Sequence, residues 1–312
     1  MSLKTFLKLV EIQTKIASVF PFLIGCLFVL YSYGTFSIMH TSIFFASMLL
    51  FDLTTTAINN YMDYRKALSN EYRQEKNIIG QQNISESIVI ATIVTMLVIA
   101  SGLGIWLVVL TDLLVLMIGM ACFAIGIFYT FGPIPLSRMP LGEAFSGITM
   151  GFGILFLTIY VNAFDTGIAS LIWEGQTVMV QADILHLFQI ALISLPSMFT
   201  IANLMLANNL CDLQDDINNH RFTLPFYIGK KYATWLFNGL YAASFLSIIV
   251  AGALQVLPWF LIFSLLAAYP VYQNVRQFNK KQSKSCSFPL AVKNLVLING
   301  TFVLLLTVSL FI

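Results

Sequence analysis

Two short polar stretches, NNYMD at Asn59–Asp63 and NNLCD at Asn208–Asp212, repeat one pattern, and Asp216 follows one helical turn after the second. Helical residues four apart share a face, so Asn59 and Asp63 form one polar stripe and Asn208, Asp212 and Asp216 form another that continues into a loop. Carboxylates gathered with amide oxygens are hard oxygen ligands. Mg2+ takes one or two carboxylates, keeps some waters and fills its remaining positions with phosphate oxygens. Asp63, Asp212, Asp216, Asn59 and Asn208 are therefore the expected metal ligands. Lys66, Arg138 and Arg221 add positive charge suited to phosphate, the arginines in fork geometry. Three carboxylates, two Mg2+ and a diphosphate leave roughly two negative charges for these three bases to offset. A lipid diphosphate would place its head at such a site and its tail among apolar helices.

The elements that must position these residues are set by composition. Of 312 residues, 58% are hydrophobic and 10% charged, whereas soluble domains carry about 25% charged residues. The chain reads as an integral membrane protein whose partner is the lipid bilayer, with nucleic acid not expected. No charge-rich or Pro/Ser-rich linker divides it, so a single membrane-embedded domain spanning 1–312 is expected. The four cysteines, at 26, 122, 211 and 286, lack metal-ligand spacing. The start, MSLKTFLKLVEIQTK, carries charge where a signal peptide would be apolar, so no cleaved segment is expected.

Spans of about 20 apolar residues number nine by this reading: roughly 16–33, 41–64, 86–110, 113–131, 141–161, 185–208, 232–251, 255–273 and 293–311. The fold class expected is an all-α bundle of about nine transmembrane helices. With these boundaries all 16 lysines and arginines fall on one side. Basic residues collect in short cytoplasmic loops, which predicts a cytoplasmic N-terminus and an outer C-terminus in the cell membrane. Both polar clusters then sit at cytoplasmic helix ends. The longest outer loop, from about Asn162 to Leu185, holds Asp165, Glu174 and Asp183 but no base.

NNYMD, YTFGPIPLSRMPLGE at Tyr129–Glu143 and NNLCDLQDDINNHRFTL at Asn208–Leu224 resemble the ordered motifs of the UbiA superfamily of intramembrane prenyltransferases. Within it they look most like the 1,4-dihydroxy-2-naphthoate polyprenyltransferases of menaquinone synthesis. By this resemblance the first motif falls on Asn59, Asn60, Asp63 and Ala67, with Asn60 and Ala67 where many members have acids. The second falls on Asn208, Asn209, Asp212, Asp216, Arg221, Thr223 and Leu224, with His220 where the naphthoate branch usually has Gly. A Tyr-Thr-Gly-Pro-type loop falls on Tyr129, Thr130, Gly132, Pro133, Pro135 and Leu136, with Arg138 as a base on the diphosphate side. The resemblance implies ionisation of a polyprenyl diphosphate with Mg2+, followed by alkylation of an aromatic acid acceptor, which in this branch loses its carboxylate as CO2. Asp63, Asp212, Asp216 and Tyr129 are the residues expected to carry the catalysis, and Asn59, Lys66, Arg138, Asn208 and Arg221 to bind substrate. Other acceptors within the superfamily, such as a hydroxybenzoate, a porphyrin or a chlorin, are the main alternative. A transporter is a weaker one, because it would need polar residues through the full depth of several helices.

Asp52 lies on the face of Asn59 and Asp63 but about 16 Å deeper. A charge so deep needs a partner, and the sequence leaves open whether it binds acceptor, takes up a proton or makes a structural hydrogen bond. Charges such as Glu71, Glu75 and Lys76 read as a solvated loop, and His40 and His186 as interfacial residues near outer span ends. Prenyl length and oligomeric state are not encoded in these patterns.

Overall fold

Long apolar runs interrupted by glycine, proline and charge build helices, and a computed structural model describes residues 1–67, 71–130 and 135–312 of them. In chain order come α1 (Leu3–Leu9), α2 (Ile16–Ser32), α3 (Ile38–Lys66), α4 (Ile78–Gln81), α5 (Glu86–Leu110) and α6 (Leu113–Thr130). The next rod is composite, with α7 (Gly142–Ser146), a π-helical stretch at Gly147–Gly153 and α8 (Ile154–Ala163). Then follow α9 (Ile184–Cys211), α10 (Leu213–Asn218), α11 (Leu224–Ala253), α12 (Ala268–Lys280) and α13 (Phe288–Val308). Several starts carry side-chain caps. Ser37 Oγ accepts from His40 N at 3.2 Å, and Asp183 Oδ1 accepts from Leu185 N at 2.9 Å, satisfying donors that a helix start leaves unpaired.

Among the described residues seven helical rods are long and apolar enough to cross a membrane, and α6 is a shorter apolar helix. The expected span at 255–273 takes another form. A 3-10 stretch, Trp259–Ala267, leads into α12, whose residues Gln273, Asn274, Arg276 and Lys280 make it amphipathic. The all-α expectation also needs a small correction. The loop between α8 and α9 holds an antiparallel hairpin, β1 (Ala169–Glu174) paired with β2 (Thr177–Ala182), with Leu171 opposite Val180. Gly175, at φ +62°, makes its turn. Lys230 and Lys231, expected in a loop, lie on α11 just after a break at Gly229, φ 77°.

Small residues set the closest helix approach. A Cβ on Gly151 would lie 2.6 Å from Met198 Cα, so the spacing Gly147-x-x-x-Gly151 lets the composite rod press against α9. Buried polar side chains then join helices: Asn203 donates to Phe237 O at 3.0 Å, Ser197 donates to Asn299 Oδ1 at 2.6 Å, and Ser47 donates to Ala100 O at 2.8 Å. Large apolar side chains such as Val98, Val109 and Leu266 remain outward, as a lipid-facing surface requires. The result is a multi-pass helical membrane protein with α3 and α9 on two walls of one interior space.

Candidate active site

The last two turns of α3 carry Asn59 and Asp63, and the end of α9 carries Asn208, with Asp212 as its C-cap. All four line one cavity of about 970 Å3. The chain turns at Asp212 into α10, where the Asp216 amide donates to Asp212 O at 2.8 Å and Arg221 N donates to Asp216 O at 2.8 Å. This turn aims Arg221 back across the cavity mouth. Its Nη1 lies 3.1 Å from Asp63 Oδ2 and its Nε lies 3.4 Å from Asp216 Oδ1. Arg138, at the end of the 3-10 turn Leu136–Arg138, places Nη2 3.4 Å from Asp63 Oδ1. Both oxygens of Asp63 therefore face arginines, and the two polar clusters are joined through one guanidinium.

Lys284, from the segment between α12 and α13, closes the second cluster. Its Nζ meets Asp212 Oδ2 at 2.5 Å and also contacts Asn208 Oδ1. Burial pushes the Asp216 carboxyl up from its ordinary range to about 6; Arg221 opposes the shift, while Asp212 and Asp63 add to it. Asp216 Oδ2 is buried with no hydrogen-bond donor among the described residues. Tyr129 also lines the cavity; its hydroxyl accepts from Ser146 Oγ at 3.2 Å and donates to Gly142 O at 3.5 Å. Away from the mouth the walls become apolar, with Phe44, Met48, Leu107, Val108, Val115 and Leu157.

Most of the residues singled out in the sequence thus meet at one mouth. Lys66 does not: it is exposed, and it is not among the residues lining the cavity. Gly132 and Pro133 lie outside the described residues, as does the side chain of Thr130. Asn60 and Asn209, the second asparagine of each pair, serve as fasteners. Asn60 Nδ2 donates to Leu9 O at 2.9 Å, and Asn209 Nδ2 donates to buried Glu143 Oε1 at 2.8 Å. Among the described residues no three His, Cys, Asp or Glu side chains form a ready metal cluster. Arginines and a lysine stand between the carboxylates instead, which relieves the repulsion the acids would otherwise exert on one another.

Lys284 escaped sequence reading because it is the 76th residue after Asn208 and looks like any other base in a polar loop. Lys15 and Ser18 escaped because Lys15 reads as a flanking cytoplasmic charge. The fold instead buries it against Asp52, 2.8 Å away. Its position inside TKIAS, directly against the apolar run, was the available signal.

The sequence matches the UbiA prenyltransferase family over residues 18–298. The chain belongs to that family. A 1,4-dihydroxy-2-naphthoate octaprenyltransferase of Bacillus subtilis (strain 168) is 26% identical over 307 residues, covering 96% of this chain and 90% of that protein. One of the same description from Mycobacterium leprae (strain TN) is 21% identical over 217 residues, covering 68% and 67% respectively. Among solved structures, the apo structure of a UbiA homolog from Aeropyrum pernix K1 superposes with TM-score 0.69 at 16% identity, covering 92% of this chain and 97% of that one. A UbiA homolog from Archaeoglobus fulgidus bound to GPP and Mg2+ gives TM-score 0.67 at 12% identity, covering 99% and 100%. These structures share the UbiA fold, and this protein is a UbiA prenyltransferase.

Proposed function

We propose that the whole chain acts as one membrane-embedded domain that transfers a polyprenyl group from its diphosphate to 1,4-dihydroxy-2-naphthoate. The observation that carries this reading is Arg221 joining Asp63 and Asp216 at the mouth of an apolar cavity large enough for a prenyl tail. The named relatives support the choice of acceptor. All-one-sided basic loops support a mouth facing the cytoplasm from the cell membrane.

The donor set fits Mg2+: Asp63, Asp212, Asn59 and Asn208 line the cavity, and Asp216, linked to Asp63 through Arg221, keeps an Oδ2 with no hydrogen-bond donor among the described residues. Asp63, Asp212, Asp216, Asn59 and Asn208 would hold the metal, which when bound supplies positive charge to the leaving diphosphate. Arg138, Arg221 and Lys284 would shift from the carboxylates to the diphosphate oxygens as these enter, exchanging one charged partner for another. The bond from the allylic carbon to oxygen breaks with its electron pair going to diphosphate. The ring carbon bearing the carboxylate forms the new carbon–carbon bond, and loss of CO2 returns the electron pair that restores the aromatic ring. Tyr129 and the apolar walls face the allylic cation and exclude water from it.

The test is to incubate membranes with prenyl diphosphates of graded length, Mg2+ and candidate ring acids, and to identify products by mass. A prenylated product that has lost CO2 from dihydroxynaphthoate is expected. A product retaining the carboxylate, or one formed only from hydroxybenzoate, overturns the acceptor assignment.

A further inference from the structure

A second polar station lies deeper in the same cavity. Lys15 is 5% exposed, and its Nζ contacts Asp52 Oδ1 at 2.8 Å, Asp52 O at 3.1 Å and Thr56 Oγ1 at 2.5 Å. Ser18 Oγ donates to Asp52 Oδ2 at 2.7 Å. An ammonium has three donors, and all are used here. Each carboxylate oxygen has two lone pairs, so Asp52 accepts from Lys15 and Ser18 and still keeps one place on each oxygen. Lys15, Asp52 and Thr56 all line the cavity, so that spare capacity opens toward a ligand.

Stability alone accounts poorly for such a pair, because the cost of desolvating two charges offsets most of their attraction. Ionisable groups at membrane depth mark function by default. The neighbouring wall points to the ligand's chemistry. Phe51, adjacent to Asp52, stacks on Phe123 of α6 with ring centroids 3.8 Å apart and planes at 14°, and both rings line the cavity. From Asp52 to Asp63 is about 16 Å along α3, with Thr55, Thr56 and Asn59 on the cavity wall between them. A diphosphate at the mouth and a flat ring further in fit end to end along that wall.

We propose that the Asp52 carboxylate, braced by Lys15 and Ser18, accepts a hydrogen bond from a ring hydroxyl of the aromatic acceptor, whose ring sits against the Phe51–Phe123 pair. This deepens the acceptor side of the proposed reaction and rests on that reading. Asp52 then discriminates acceptors by whether they carry a hydroxyl at the right ring position, and has no part in binding the prenyl diphosphate.

The test is equilibrium binding to the purified full-length protein. The probes are 1,4-dihydroxy-2-naphthoate and the two acids that each lack one hydroxyl, 1-hydroxy-2-naphthoate and 4-hydroxy-2-naphthoate. Losing a hydrogen bond to a charged group weakens binding by roughly 10- to 100-fold, so the wild type should reject one monohydroxy acid by about that factor. Lys15→Met with Asp52→Leu removes both charges together, leaves no lone buried charge, and should erase the preference while prenyl diphosphate binding is unchanged. Where that pair does not insert in the membrane, Asp52→Asn should narrow the same preference. A preference that survives these changes, or a loss confined to prenyl diphosphate, overturns the proposal and leaves the pair as a brace between α2 and α3. Should the wild type prenylate a different hydroxyaromatic ring, with a preference for its hydroxyl that depends on Asp52, the naphthoate assignment falls and the subsite stands. If the wild type binds no hydroxyaromatic compound, the subsite falls as well.

Discussion

The two NNxxD walls are spelled alike and charged differently. On the first, Asp63 is the only carboxylate, and it faces Arg138 at 3.4 Å and Arg221 at 3.1 Å. On the second, Asp212 pairs with Lys284 at 2.5 Å and Asp216 meets the far side of Arg221 at 3.4 Å. With the charge of Arg221 shared between the walls it joins, the first wall, with Arg138, is the more positive and the second, with its two carboxylates and one lysine, the more negative. Mg2+ is therefore expected to lean on the second wall and diphosphate on the first. The asparagines divide alike on both sides. Asn59, Asn60 and Asn208 line the cavity, and the second asparagine of each pair also ties helices together: Asn60 fastens α3 to the end of α1 and Asn209 fastens α9 to Glu143. Repetition of the motif thus reflects one mechanical plan serving two electrical roles.

The largest effects should come from the carboxylates themselves. Asp63→Asn, Asp212→Asn and Asp216→Asn are each expected to cut turnover by more than about 100-fold, since leaving-group stabilisation depends on this charge. The asymmetry should appear in the residual activity. Asp212→Asn and Asp216→Asn should raise the Mg2+ needed for half-maximal rate, while Asp63→Asn should also weaken prenyl diphosphate binding, because two arginines lose their anchor. Turnover measured against Mg2+ and against prenyl diphosphate in membrane-inserted protein separates these patterns. If Asp63→Asn keeps near-normal rate and metal dependence, the two walls do not form one site.

Next in size are the arginines. Losing a charged hydrogen bond costs roughly 1.5 to 3 kcal/mol, or about one to two decades in rate. Arg221→Gln should raise the KM for prenyl diphosphate by such a factor with the acceptor KM unchanged. Arg138→Gln should do the same more weakly, because Arg138 touches Asp63 alone whereas Arg221 ties both walls. Paired titrations in which the acceptor KM moves first would remove the diphosphate role from both residues.

Much of this site was legible because intramembrane polarity is costly and so stands out against apolar runs. Asn59, Asp63, Asn208, Asp212, Asp216, Arg138 and Arg221 all announced themselves, and eight of the expected rods form close to their predicted bounds, several longer by a few residues. What stayed hidden depended on three-dimensional neighbours. Lys284 reaches Asp212 from a loop 72 positions away, and Lys15 differs from Lys4 and Lys8 in the sequence only by abutting the apolar run, its partner Asp52 being visible only in the fold. The β1–β2 hairpin went unread inside the outer loop, because its six-residue strands, ASLIWE and TVMVQA, are short apolar runs that periodicity alone does not assign.

A smaller effect should follow from restoring an acid on the first wall. Ala67 is the C-cap of α3, with φ −61° and ψ 125°, so a side chain there still follows the Asn59–Asp63 stripe by one turn but sits at the frayed end of the helix, beyond its last intrahelical turn. Ala67→Asp should keep substantial activity and lower the Mg2+ required by at most a few-fold, an effect on the scale of an exposed charge pair. A larger gain would show that the first wall is the stronger metal site and would reverse the division of roles drawn above.

The smallest effect tests how the second wall is turned. His220 lies between Asp216 and Arg221 and adopts φ +54°, a left-handed conformation. Its amide donates to Ile217 O at 3.1 Å, and the next amide, of Arg221, donates to Asp216 O at 2.8 Å. The turn that sends Arg221 across the mouth therefore passes through a residue for which a side chain is strained. Left-handed backbone costs a non-glycine residue about 1–2 kcal/mol, while glycine's greater freedom in the unfolded chain returns roughly 0.5–1 kcal/mol of that. His220→Gly should therefore match or modestly exceed wild-type thermal stability, and should exceed His220→Ala by about 1 kcal/mol, with prenyl diphosphate KM unchanged in both. His220 is exposed, and its ring meets Phe222 edge-on with centroids 6.4 Å apart, a contact that both variants lose equally. The difference between them isolates the backbone term. If alanine proves as stable as glycine, the turn is not strained at His220, and the placement of Arg221 must come from its ion pairs alone.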